Sequence, residues 1–524
     1  MRTLTDYLDE QAAARPQAPA VEFQGESLTY GELHRRSAAF AATLRRRGIV
    51  PGARVGVWLR KSVEAVVAIH GVLRAGAAYV PIDPSAPLPR VARIIADCDI
   101  TCLVADAGDT ALLPEHLAAD RLVVAVGPAK DAAGDPRQAN VVPWEEAVDG
   151  AGEPSPAAAP QAGPRSVAYI LYTSGSKGVP KGVALTHGNA CAFAEWAVQE
   201  FGLRPADRVS SHAPFHFDLS VLDLFATCRA GACVVLVPES QAGLGGALNR
   251  LVADLGITVW YSVPNALTRM LAARNSELLA GSALRVVLFA GETFPLAYLR
   301  RLRALVPGAD FYNLYGPTET NVCTFHRVTA DDVAPDRTEP VPIGRPCPYA
   351  TAFLVDPSGR PLPHEPGSEG ELCVAGESVM AGYWRDAELT AAKTALIARD
   401  GAEPVAAYRT GDMVMVDADL NYVFRGRQDD MVKIRGHRVE LGEIESVLAG
   451  TENVHEVVCV AVGDDEKHIE AFVVPGSHPC EVSRLRRACL AALPRYMVPE
   501  RIHVIETLPR TRTGKIDRRS LIES

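Results

Sequence analysis

Hydrophobic and polar positions follow two rhythms along this chain. Val63-Glu-Ala-Val-Val-Ala-Ile-His-Gly-Val-Leu73 has the spacing and length of a helix, and Ala78-Tyr-Val-Pro-Ile82 reads as a short buried strand. Such alternation runs from Leu28 to about Val126 and resumes at Val167, which predicts layered α/β structure with mainly parallel sheet. Between them, residues 151–164 are Ala-, Gly- and Pro-rich and form a loop. Val167–Tyr172 and Val286–Phe289 are apolar enough for buried strands, and Asn421–Phe424 is a further strand. Beyond residues 425–430 the pattern becomes compact. Strands are expected at Val432–Ile434, Val454–Val462 and Ile469–Val474, with helices at Leu441–Leu448, ended by Gly450, and Val482–Leu493. In the last helix Val482, Leu485, Cys489 and Leu493 fall on one face. The expectation is a large α/β body of several subdomains over residues 1–428 and a small mobile α+β domain over 429–524.

Composition narrows the function. A length of 524 residues gives room for three or four folding units at roughly 150 residues each. With 48% hydrophobic and 22% charged residues the chain is an ordinary globular one. The net charge of −10 disfavours a general nucleic-acid binder. The eleven cysteines are scattered and lack a CxxC pair, so neither a zinc site nor a disulfide framework is expected, and reduced thiols in a cytoplasm fit better. The N-terminal Met1–Glu10 is too acidic for a signal peptide, and no apolar run reaches the roughly 20 residues of a membrane span. Lysine is scarce, with eight against a Lys+Arg total of 53, so each surviving lysine carries some weight.

Two of those lysines sit in Thr173-Ser-Gly-Ser-Lys-Gly-Val-Pro-Lys-Gly182, directly after a predicted strand. Its glycines can turn backbone N–H groups inward on an anion, and hydroxyls and lysines add donors. The spacing is not that of a Walker A loop. Taken alone, a Gly/Ser loop is as compatible with a flexible turn. The segment resembles the phosphate loop of the adenylate-forming superfamily, which includes acyl-CoA synthetases, luciferases and nonribosomal peptide synthetase adenylation domains. The resemblance continues in order through Leu28–Leu33, Leu73–Asp83, Phe217–Ser220, Asn313–Glu319, Gly370–Leu372, Tyr408–Asp412, Gly426–Glu445, Leu493–Pro499 and Thr513–Arg518. Ten segments in register leave little room for chance. Two positions depart from the pattern: Lys177 replaces the usual Thr of the loop, and Met431 replaces the usual Gln.

The resemblance implies a reaction in which a carboxylate and ATP give an acyl-adenylate and pyrophosphate, followed by capture on a thiol. It implies that Lys515 bridges the substrate carboxylate and the α-phosphate, a role otherwise invisible in a tail lysine. Thr173, Ser174, Gly175, Ser176 and Lys181 would hold the β- and γ-phosphates. Tyr315 would stack on adenine, the alternative being a core tyrosine. Gly291, Glu292, Asn313, Gly316 and Thr318 would complete the nucleotide site. Asp412 would take the ribose hydroxyls, with Arg427 beside it, and Glu319 would bind Mg²⁺, which prefers hard oxygen ligands. Asp429 matches the superfamily's hinge, about which the small domain would exchange Lys515 for Lys433 between the two steps.

Asp218, second in Phe-Asp-x-Ser, stands where amino-acid activators of this superfamily pair with the substrate ammonium. The remaining lining, aligned by its anchors, is Leu219, Leu222, Tyr261, Leu288, Ala290, Leu314, Val322 and Cys323. It holds no acid or base for a polar side chain, so the substrate should be small and apolar. The string resembles that of the free-standing prolyl-adenylate ligases, which load L-proline onto a separate peptidyl carrier protein. Had these leucines been ordinary core, only "small apolar amino acid" would stand. An acyl- or aryl-CoA ligase is disfavoured by Asp218, and a non-catalytic regulator by the retention of Lys515, Glu319 and Asp412. The last motif ends at Arg518, so the carrier is expected in trans.

Overall fold

The computed structural model describes residues 2–110, 112–114, 121–127, 140–149, 162–175, 179–399, 402–428, 431–463, 467–478, 480–510 and 516–523. The chain divides into two compact units. The first comprises residues 1–84, 95–171 and 182–426, and the second residues 85–94, 172–181 and 427–524.

The first unit is built on three sheets. The helix predicted at Val63–Leu73 is observed as Val63–Arg74, and its start is set by Ser62, whose side chain accepts from the Ala65 N–H. It is apolar on nearly every side because almost every residue in it is buried. Strand Ala78–Pro81 follows and pairs in parallel with Arg54–Trp58. These strands belong to an eight-stranded sheet that also contains Val167–Thr173. A nine-stranded sheet carries, side by side and parallel, Cys233–Leu236, Arg208–Ser211, Val259–Ser262, Val286–Ala290 and Asp310–Tyr315. The strand after it, Thr324–Arg327, runs antiparallel to Asp310–Tyr315. The third sheet departs from the mainly parallel pairing of the other two. It joins Ala350–Val355, Glu369–Gly376, Thr394–Arg399 and Ala402–Val416 wholly antiparallel. Antiparallel strands need no crossover helix between them, so the α/β alternation that announces the other two sheets has no counterpart here.

The second unit contains the hairpin Met431–Ile434/His437–Glu440, helix Leu441–Ala449, and a sheet of Val454–Val462, His468–Pro475 and Arg501–Val504. Helix Val482–Ala492 packs through Leu485 and Cys489, with Leu493 just past its end, and all three are buried. Val482 is 39% exposed, which corrects its place on that buried face. It occupies the first turn, where the chain is still entering the helix from outside the core. Residues 151–161 of the Pro-rich loop lie outside the described residues. Among the described residues no helix is long and apolar enough to cross a membrane.

Candidate active site

The nine-stranded sheet aligns by register several of the residues expected to line the substrate. Tyr261 lies opposite Leu288, and Ala290 opposite Leu314, on neighbouring parallel strands. Alternate residues of a strand share a face, so Leu288 and Ala290 point the same way. These four residues join Leu219, Leu222 and Val322 in one buried apolar cluster. Cys323 does not join it. It packs instead in the cluster of Tyr315, Ile343 and Leu354. Burial pushes the Cys323 thiol up to about 12, and the Asp412 carboxylate adds to that shift.

Asp218 stands on the connection after strand Arg208–Ser211 and is partly exposed. Its backbone is held by a turn in which the Val221 N–H donates to the Asp218 carbonyl at 3.1 Å. The Ser220 hydroxyl reaches back to the Phe217 carbonyl at 2.6 Å. The Asp218 charge is felt by two buried phenols, Tyr169 and Tyr261. Burial raises both, and Asp218 raises them further. An acid beside apolar walls is suited to one cationic group on an otherwise apolar molecule.

Tyr315 ends strand Asp310–Tyr315, and the turn after it closes onto the antiparallel strand with Tyr315 opposite Thr324. Gly316 is required there, since a Cβ would lie 1.6 Å from the Asn321 carbonyl oxygen. The Tyr315 hydroxyl donates to the Asp412 carboxylate. Both side chains are buried, and burial with the nearby carboxylate keeps the phenol protonated. Asp412 is presented by two motifs acting together. Glu371 accepts from Arg409 and, through its other oxygen, from the Gly411 N–H at 3.1 Å. The Thr410 hydroxyl donates to the Leu372 carbonyl at 2.7 Å and accepts from the Asp412 N–H at 3.0 Å. Thus Gly370–Leu372 and Tyr408–Asp412, far apart in sequence, are adjacent strands of one device.

Glu319 is fully buried and accepts a 2.7 Å hydrogen bond from the Tyr383 hydroxyl. Thr318 beside it is partly exposed. The amide of Asn313 donates to the Val341 and Pro342 carbonyls at 3.3 and 2.8 Å, so it braces the neighbouring chain. Gly291 takes φ +97°, and Glu292 follows it at the end of Val286–Ala290.

In the second unit, the loop after strand Val167–Thr173 meets the segment Arg438–Glu443. The Ser174 hydroxyl donates to the Arg438 carbonyl at 2.8 Å and accepts from the Glu440 N–H at 3.2 Å. The Gly175 N–H donates to the Glu443 carboxylate at 3.3 Å, which Arg90 also pairs. One loop donor is therefore already engaged by an anion. The hydroxyl of Thr173 is buried without a hydrogen-bond partner. Lys181 begins strand Lys181–Thr186. Lys433 lies on Met431–Ile434 opposite Arg438, and Arg427 ends Tyr422–Arg427. Met431 is a buried apolar residue. Ser176, Lys177, Asp429 and Lys515 lie outside the described residues.

Residues 8–384 match the AMP-binding enzyme family, and 443–515 match the AMP-binding enzyme C-terminal domain. The chain belongs to the AMP-binding enzyme family. Within it, the chain is 39% identical to an L-proline--[L-prolyl-carrier protein] ligase of Pseudomonas fluorescens, over 99% of each chain. It is 40% identical to a protein of the same name from Streptomyces coelicolor, over 98% of this chain and 94% of that one. The adenylation domain AlmE of Vibrio cholerae, solved with glycyl-adenosine-5'-phosphate, superposes with a TM-score of 0.84. It has 25% identity over 100% of this chain and 98% of that one.

Several residues of this AMP-binding enzyme escape a reading of the sequence. Tyr383 supports Glu319 from 64 positions away and carries no local mark. Tyr169 lies in the strand before the phosphate loop, where it reads only as an apolar position. Glu371 and Arg409 sit inside quoted motifs, so their presence was visible although their pairing was not.

Proposed function

We propose that this AMP-binding enzyme activates L-proline as prolyl-adenylate and passes it to the phosphopantetheine thiol of a separate carrier protein. The reading rests on Asp218, whose charge reaches Tyr261 among otherwise apolar residues. The relatives alike along nearly their whole length bear that activity in their names. L-Proline offers one cationic ring nitrogen and three ring methylenes, which match one acid and a compact apolar wall.

In the first step a carboxylate oxygen of proline attacks the α-phosphorus of ATP, and pyrophosphate leaves. Both reactants are anionic, so orientation and cations do most of the work. Lys515 stabilises the charge gathering between carboxylate and α-phosphate. Thr173, Ser174, Gly175, Ser176 and Lys181 bind the outer phosphates. Asp412, oriented by Glu371 and Thr410, receives ribose hydroxyls, and the Tyr315 ring meets adenine. Mg²⁺ fits Glu319, a hard oxygen donor. Among the described residues no group of three or more His, Cys, Asp or Glu side chains could hold a metal, so Glu319 would hold the ion together with phosphate oxygens of the bound nucleotide. When bound, the ion neutralises phosphate charge. In the second step the carrier thiolate attacks the prolyl carbonyl carbon and AMP leaves, with Lys433 serving this step and Asp429 acting as hinge. A cytoplasmic location, where ATP is supplied, fits this reading.

Replacing Asp218 with Ala tests the reading. The KM for L-proline in ATP–pyrophosphate exchange should rise about 10- to 100-fold, as expected when a hydrogen bond to a charged group worth ~1.5–3 kcal/mol is lost. An unchanged KM refutes Asp218 as the ammonium partner.

A further inference from the structure

Val322 is one of the residues expected to line the amino acid, and side chains hold both polar groups of its backbone. Its N–H donates to the Asn321 side-chain oxygen at 2.6 Å, and its carbonyl accepts from the Tyr349 hydroxyl at 2.6 Å. Neither holder has a role in the steps above. Val322 lies in the turn before strand Thr324–Arg327, outside the strand ladder, and is 4% exposed. A buried backbone group without a partner is costly, so these two side chains decide where Val322 sits. Asn321 makes its bond from a left-handed backbone, φ +52°, which asparagine tolerates better than most residues.

Tyr349 comes from the antiparallel sheet, immediately before strand Ala350–Val355. Its carbonyl accepts from the Glu377 N–H at 3.0 Å. Gly376 permits that close approach, since a Cβ there would lie 2.2 Å from the Tyr349 carbonyl oxygen. The Tyr349 ring packs on the apolar cluster that contains Tyr261, Leu288, Ala290, Leu314 and Val322. It also meets Trp196 edge to face, with 5.8 Å between ring centres. Backbone and ring are thus both fixed, and the hydroxyl is delivered to Val322 from a defined place. A sheet that supplies none of the expected lining residues sets the position of one of them.

We propose that Tyr349 and Asn321 are positioning residues that hold Val322 against the amino-acid side chain and so set the size of ring the enzyme accepts. This role rests on Val322 lining the amino acid, as proposed above. Side chains serving the fold alone would change the amount of active enzyme equally for every substrate. A ratio between two substrates cancels that amount and reads the wall itself.

The experiment measures kcat/KM in ATP–pyrophosphate exchange for L-proline and for its six-membered-ring homologue, L-pipecolic acid, together with KM for ATP. Wild type is compared with Tyr349→Phe, which keeps the ring, and with Asn321→Gly, which keeps the left-handed backbone. One methylene is worth about 10- to 200-fold in a fitted pocket, so the preference for L-proline should fall by about three- to tenfold in each variant, with KM for ATP unchanged. An unchanged preference in folded Tyr349→Phe overturns the proposal, and Asn321→Gly carries the same test where Tyr349→Phe fails to fold. Val322→Ala is measured alongside. An unchanged preference there overturns the lining role of Val322, whereas a lowered preference there with an unchanged one in Tyr349→Phe overturns the positioning role alone.

Discussion

Glu319, the proposed Mg²⁺ ligand, depends on a partner that is remote in sequence. It is fully buried, and its hydrogen bond from Tyr383 offsets part of the cost of hiding a carboxylate. Tyr383→Phe removes that donor and leaves the ring. It should destabilise the protein by about 1–3 kcal/mol, the cost of an unsatisfied buried acceptor. The Mg²⁺ concentration for half-maximal exchange should also shift, and a Mg²⁺ titration of wild type against variant checks it. Asp332 illustrates the opposite balance. Burial would raise its pKa, but hydrogen bonds from His326 and Thr329 hold it down to about 2 from 3.8. A depressed acid contributes stability above its unfolded pKa and loses it as pH falls through the folded one. Asp332→Asn should therefore flatten the acid limb of a stability-versus-pH curve between about pH 4 and 2, and an unaltered slope would count against it. Motif residues such as Asp218, Glu319 and Asp412 are legible in sequence because they stand at fixed offsets from glycines, prolines and aromatics. Tyr383 is not, since its meaning comes only from the residue it meets across the fold.

At the scale of elements, periodicity finds what is local. The helices at Val63–Arg74 and Leu441–Ala449 and the strands at Val454–Val462 and Val286–Ala290 lie within a residue or so of their expected ends. Non-local pairing is where it fails. The strand Ala402–Val416 runs for 15 residues, yet only its Tyr-Arg-Thr-Gly-Asp motif signalled it. The π-helical turn Leu222–Ala226 was equally invisible, because a single inserted π turn hardly changes an apolar pattern. The second unit offers an element-scale test. Arg90 and Glu443 form a buried pair there, with side chains 8% and 2% exposed, and Glu443 also receives the Gly175 N–H. Arg90→Met strands a buried carboxylate and should cost about 3–5 kcal/mol, while Arg90→Met/Glu443→Leu should recover most of it. Hydrogen exchange over residues 431–449 reads the effect directly. Equal protection in wild type and Arg90→Met would show that the pair contributes little.

At the scale of the molecule, the proposed roles divide between the two units. The first holds Asp218, the apolar residues proposed to line the substrate and the side chains proposed for adenosine. The second holds the loop proposed for the phosphates, Lys433 and Lys515. The two-unit plan was legible because the small unit's alternation of short strands and helices begins near residue 427, where the large unit's sheets end. What the sequence did not disclose is that residues 85–94 and 172–181 belong to the small unit, since their neighbours are set by packing alone. The central claim is selection of L-proline by Asp218 and its apolar lining. The most direct test is ATP–pyrophosphate exchange measured separately with each of the twenty amino acids. The strongest exchange is expected with L-proline, weaker exchange with other small apolar amino acids and none with arginine, glutamate or tryptophan. Strong exchange with a large polar amino acid and none with L-proline would contradict the claim.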